Sequence, residues 1–155
     1  MADYSRQRTP VSDLLAFINS QLTAITAVTI DIRTFHSADI KKMYDYLDTI
    51  QPDVRPVVVI NFPGVTRPFE PQSIFEFSIY VVTKHWGSLD LALAANQDVI
   101  EAVYSALDWQ LYASEGADPV LGYPSLFYAK RDEFEPMDVN GKNTCFRLNF
   151  VVEDY

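Results

Sequence analysis

The sequence predicts an α+β fold: a mostly antiparallel sheet of about five strands, packed by two to three helices on one face. Three observations predict it. Apolar residues alternate with polar ones around 28–33, 75–81 and 146–153, the period-two signature of strands with one face on a core. Apolar residues recur at helical spacing over about 11–24, 38–49 and 89–112, as on amphipathic helices. The resulting order, αβαββαββ, lacks the strict βαβαβ rhythm of a doubly wound sheet.

Residues 1–10 are polar and are expected to form a flexible N-terminal arm ahead of a single domain over 11–155. Pro10 marks a helix start, with Ser12 as N-cap and Asp13 in the first turn. Leu14, Leu15, Ile18, Leu22 and Ile25 make the inner stripe. The segment VTIDIRTF then reads as a strand with Val28, Ile30 and Ile32 inward. Ser37 is placed to cap a short helix whose stripe is Ile40, Met43, Tyr44 and Leu47.

PVVVINF, at 56–62, is continuously apolar and β-branched, which predicts a central strand buried on both faces. It runs into PGVTRPFEPQ, whose prolines and glycine cannot continue a sheet. A long strand follows, with Phe75, Phe77, Ile79 and Val81 alternating with Glu76, Ser78 and Tyr80. Gly87 breaks it, and Ser88 caps the longest helix, whose stripe is Ala92, Ala95, Val99, Val103, Ala106 and Leu107. Residues 113–124 read as a loop, 126–134 as a strand, 135–142 as a turn, and CFRLNFVVE as the closing strand.

A chain of 155 residues suits one domain. At 48% apolar residues it can bury a core. Its net charge of −9 argues against a phosphate-binding surface and against a polybasic membrane contact. The opening MADYSRQRTP lacks the apolar run of a signal peptide, so no leader is expected. No apolar run approaches the ~20 residues of a membrane span. The lone Cys145 allows no intrachain disulfide and reads as a buried side chain, suited to a reducing compartment.

The residues that could carry chemistry are sparse. His36 and His85 have no His or Cys at ligand spacing, so neither a metal nor a cofactor is expected. No G-x-S-x-G elbow, P-loop or G-x-G-x-x-G turn occurs. Asp132, Glu133, Glu135 and Asp138 lie close together without the spacing of a calcium loop, and read as a solvated acidic loop. No catalytic residue is assigned, and an enzyme is not expected. Aromatic residues make up 14% of the chain, and Trp, Tyr and Arg anchor protein interfaces. The candidate interface residues are therefore Arg67, Phe69, Trp86, Trp109, Tyr112 and Tyr123.

Taken in order, LLAFINSQL, VTIDIRTF, RPVVVINFPG, IFEFSIYVVTKHWG, NQDVIEAVYSALDW and FRLNFVVED resemble the tail terminator, or tail-completion, proteins of tailed bacteriophages, in particular the Mu-like branch. The likeness covers about 12–154 and rests on order and spacing. PGVTRPFEPQ stands where that family usually has a glycine-rich turn. The resemblance implies a structural virion protein of the neck, assembled in the bacterial host cytoplasm. It implies a homohexameric ring that caps the tail tube, ends its polymerisation and receives the head–tail connector. Partners would be the tube protein, the connector and, in contractile tails, the sheath, with DNA passing through the lumen without specific binding. Other readings are a different phage neck or head–tail adaptor component, a small-molecule-binding α+β module, and an enzyme using a carboxylate pair.

Overall fold

A computed structural model describes residues 11–26, 28–37, 39–50, 56–61, 73–84, 88–112, 125–129, 135–139 and 143–154. The elements are α1 (Val11–Thr23), β1 (Asp31–Phe35), α2 (Ile40–Asp48), β2 (Val57–Asn61), β3 (Ser73–Lys84), α3 (Leu89–Leu107), β4 (Gln110–Tyr112), β5 (Ser125–Ala129), β6 (Glu135–Val139) and β7 (Asn143–Asp154). They form one sheet in the order β1-β2-β3-β7-β5-β4, with β6 also pairing β7. Every pairing is antiparallel except β1 with β2. The α+β class and the mostly antiparallel sheet are as the sequence predicts, with seven strands instead of about five.

The centre of the sheet is the β3–β7 ladder, paired from Ser73↔Asp154 to Lys84↔Asn143. Its alternation fixes its faces. Phe77, Ile79, Val81, Phe146, Leu148, Phe150 and Val152 turn to one side and are buried there under Leu14, Ile18 and Leu22 of α1 and Val99, Val103 and Leu107 of α3. Phe150 lies 5.4 Å from Phe77 and 5.8 Å from Tyr104, ring centre to ring centre. Gln21 Nε2 donates to the Ala106 carbonyl at 2.9 Å and ties the ends of α1 and α3 together. Burying each such apolar side chain contributes roughly 1.5–3 kcal/mol before the entropy of ordering it is deducted.

The other side of the sheet has its own, smaller core. Val57, Val59, Tyr80, Val82 and Cys145 pack there against Met43 and Leu47 of α2 and against Ile50. The expected placement of all helices on one face is thus corrected: α1 and α3 cover one face and α2 the other. The reason lies in β2, whose four apolar residues are buried on both sides, as its unbroken run predicts. A sheet buried on both faces needs a helix on each, and α2, the crossover between parallel β1 and β2, supplies the second.

Several boundaries differ from expectation. The first helix begins at Val11, which puts Ser12 inside it instead of at its cap. The first strand begins at Asp31, not Val28; its first rung pairs Asp31 with Val57, and the Asp31 N–H donates to the Pro56 carbonyl. Asp39, not Ser37, caps α2, accepting from the N–H groups of Lys41 and Lys42, and Ser37 Oγ accepts from the Asp39 N–H. The inner face of α2 is Met43 and Leu47, while Ile40 and Tyr44 are exposed. The turn expected over 135–142 holds β6, an edge strand in which Pro136 is tolerated because β6 pairs only β7 among the described residues.

Candidate functional site

The long helix ends five residues earlier than its periodicity suggests, and the consequence is the most distinctive local geometry among the described residues. The inner stripe of α3 stops at Leu107. Asp108 is the C-cap; its N–H donates to the Tyr104 carbonyl at 2.8 Å while its backbone turns extended, with ψ at 128°. Its Oδ1 accepts from the Ala129 N–H of β5, also at 2.8 Å. That side-chain bond to a neighbouring strand competes with another helical turn. Trp109 follows at φ 60°, the left-handed region, the only such non-glycine residue among those described. A Cβ in that conformation costs roughly 1–2 kcal/mol.

The chain then enters β4, the last strand of the sheet, which pairs only β5 among the described residues. Trp109 is 70% exposed and Leu111 62% exposed. Two large apolar side chains therefore project at one sheet edge. At the opposite edge, β1 pairs only β2 among the described residues. Beside it, between the end of α1 and the approach to β1, opens a groove of about 400 Å³. Leu22, Ile25, Val28, Ile30 and Ile32 line it together with Thr23, Thr26, Thr29 and Asp31, so its surface is as polar as it is apolar. A second hollow, of about 390 Å³, is polar and lies by Glu101, Tyr104, Ser105 and Asp108 near the end of α3.

Of the candidate interface residues, the structure places Trp109 on the β4 edge and carries the Tyr112 backbone into β4 itself. Arg67, Phe69, Trp86 and Tyr123 lie outside the described residues, as do His85, Asp132 and Glu133. His36 is exposed just after β1. Glu135 and Asp138 belong to β6, paired with Arg147 and Thr144, so this part of the expected acidic loop is a strand. Among the described residues no three His, Cys, Asp or Glu side chains come together as a metal site would require.

Cys145 is buried, and burial pushes its thiol up to about 12, with Arg147 pulling in the opposite direction. A thiol held neutral is a poor nucleophile. Tyr80, on the same side of the sheet, is also raised by burial, against a hydrogen bond from Arg147.

The sequence reading missed Leu111, the groove beside β1 and Asn96. Val28 and Ile30 carry the alternation of a strand, yet they precede the paired residues and line the groove instead. Asn96 is fully buried on α3, where it donates to Thr83 Oγ1 at 3.0 Å and to the Ala92 carbonyl at 2.7 Å. It locks the helix to the end of β3, and a polar residue at a stripe position is the signal that could have found it.

The outer surface of the α1–α3 layer is one-signed. Asp90, Asp98 and Glu101 are exposed on α3, and neither α1 nor α3 contains a Lys, Arg or His. By contrast α2, on the other face, exposes Lys41 and Lys42 beside its acids. A scan against protein-family models and a search of the curated proteins both returned no match to this sequence.

Proposed function

We propose that this chain is a tail terminator subunit: a non-enzymatic building block whose ring caps a phage tail tube, ends its growth and receives the head–tail connector. The observation that carries the reading is the pair of unlike edges on one sheet. An apolar projection stands at β4 and a groove of mixed polar and apolar lining at β1. A closed ring of identical subunits joins two different surfaces of each copy, whereas a two-fold dimer uses one surface twice. A sheet with different features on its two edges is compatible with that requirement.

Two further features support it. The segments on which the resemblance rests fold, where described, into helices and strands built around one mostly antiparallel sheet. The outer face of α1 and α3 carries only negative charge, the sign that lets a phosphodiester chain slide past without counterion-driven binding.

Negative-stain images of the purified protein, alone and mixed with tail tubes, test the proposal. Rings, or caps confined to one end of the tubes, are the expected result. Tubes left bare at both ends, with no rings free in solution, would refute it.

A further inference from the structure

We propose that residues 108–112 are a two-state element, which alternates between β4 and one further turn of α3. The device belongs to this chain alone and does not rest on the ring reading.

No local signal ends α3 where it ends. Val99, Val103 and Leu107 are buried on its inner stripe at a spacing of four, and Leu111 is the next in that series. Trp109-Gln110-Leu111-Tyr112 contains neither the glycine nor the proline that ordinarily closes a helix. Its residue types cost a helix interior little. The left-handed position after a helix, which usually falls to glycine, is held here by Trp109. Long-range side chains impose the stop instead. A helix that ends leaves its last carbonyls without the N–H groups of the next turn. Gln21 Nε2 supplies one substitute, reaching from α1 to the Ala106 carbonyl at 2.9 Å. In a longer helix that carbonyl would accept from the Gln110 N–H. Asp108 Oδ1 supplies the second restraint, accepting from the Ala129 N–H at 2.8 Å and pinning the turn to β5. Trp109 has a contact of its own within the chain in this state.

Against these bonds stand the left-handed backbone at Trp109, a ladder of three residues with β5, and an exposed Leu111. One more helical turn removes the positive φ and gives the N–H groups of 109–112 acceptors at 105–108. It also returns Leu111 to the side of the helix that carries Val103 and Leu107. What it gives up is the β4–β5 ladder and the Asp108–Ala129 bond. The two arrangements exchange similar sets of bonds, the condition under which two packings of one segment lie close in free energy. The switch changes the edge of the sheet. In the strand state β4 covers the outer flank of β5; in the helix state β5 is itself the last strand on that side among the described residues. Its N–H and C=O groups on that flank are then open to another strand.

The test uses the full chain, with NMR relaxation dispersion and Cα carbon shifts read at 109–112, the measurements suited to a minor state exchanging in microseconds to milliseconds. Asp108→Ala removes the acceptor for the Ala129 N–H and puts a strong helix former in its place. It is expected to raise the population with helical shifts at least about tenfold over the parent. Asp108→Asn keeps an oxygen for the same N–H and is expected to stay near the parent. Trp109→Gly suits the left-handed backbone and weakens the helix, so it is expected to leave the strand state alone.

Helical shifts that appear in Asp108→Ala and are absent from Trp109→Gly support the switch, even where the parent's minor state is too small to see. Strand shifts without exchange in Asp108→Ala would overturn it. So would a minor state with coil shifts, which is the fraying of an edge strand. A helical population as large in Asp108→Asn as in Asp108→Ala would show that the Ala129 bond is not the lock, and it too would overturn the proposal. If Asp108→Ala does not fold, Gln21→Ala, which frees the Ala106 carbonyl for the Gln110 N–H, decides by the same shifts.

Discussion

The β3–β7 ladder and the β4 edge are both built from alternating apolar residues, yet only the ladder turns that pattern into burial. On β7, Phe146, Leu148, Phe150 and Val152 are all buried beneath two helices. On β4, Leu111 stands in solvent, preceded by an equally exposed Trp109. The difference is what lies on either side. β7 has β3 along its whole length and β5 and β6 sharing its other flank, while β4 pairs through three residues with β5 alone among those described. Side-chain type gives a strand its pattern; the neighbours decide whether the pattern is spent on the core or left for a partner.

The largest test of that contrast is Phe150→Ala. Its ring fills the space between Phe77 and Tyr104, and truncating a buried phenylalanine costs about 3–5 kcal/mol. Urea unfolding should give a free energy of unfolding lower by that amount, seen as a lower midpoint at an unchanged slope. A loss below about 1 kcal/mol would mean that the centre of the sheet is not the packed core described above.

The opposite face of the same strand yields a pH test. The Cys145 thiol is raised by burial from its ordinary 9.0 to about 12. An acid whose folded-state pKa is raised keeps its full contribution below the unfolded value and loses it as pH climbs through the folded one. Stability should therefore fall between pH 9.0 and about 12. Tyr80 shifts in the same direction, so Cys145→Ala should flatten this decline without abolishing it. An alkaline decline identical in the parent and the variant would show that the thiol is not sealed in the smaller core. Thiol-reactive reagents should likewise reach Cys145 only on unfolding.

The ladder was legible in the sequence and the edge was not, for a physical reason. Ile79 and Leu148 declare themselves because period two coincides with a face that is truly buried. The unbroken apolar run of β2 announced burial on both sides, yet which helix would supply the second cover depends on the crossover between β1 and β2, which is set in three dimensions. Asp108 stops α3 through a hydrogen bond to Ala129, across 21 positions of chain, and no local pattern encodes that. Trp109 was singled out as an aromatic at a helix end, while Ile25 and Ile30, which line the groove beside β1, were read as helix and strand interior because each fits the period of the element next to it.

Local helix capping lies between these extremes. Asp39 satisfies two N–H groups at the start of α2 through one carboxylate oxygen. Asp39→Ala should cost about 1 kcal/mol, felt through the smaller core, because Met43 and Leu47 keep their register only while the helix start is fixed. A thermal melt indistinguishable from the parent would show that packing alone holds α2.

The smallest effect, and the most telling, is that of Trp109→Gly on the isolated domain. In the ladder, truncating Phe77, Ile79, Leu148 or Phe150 must cost stability, because each of these side chains has been removed from water. At the edge the side chain has gained little burial and the backbone bears the left-handed strain. Removing the Cβ relieves that strain, offset by the greater freedom glycine gains in the unfolded chain. The net change should lie between zero and about 1 kcal/mol in favour of folding. Chemical denaturation at low protein concentration isolates this term from any association. A destabilisation of the size seen for Phe150→Ala would make Trp109 a core residue and erase the distinction between ladder and edge. Unchanged or improved folding would show that the exposed indole is dispensable to the stability of its own domain, unlike any buried side chain of the ladder.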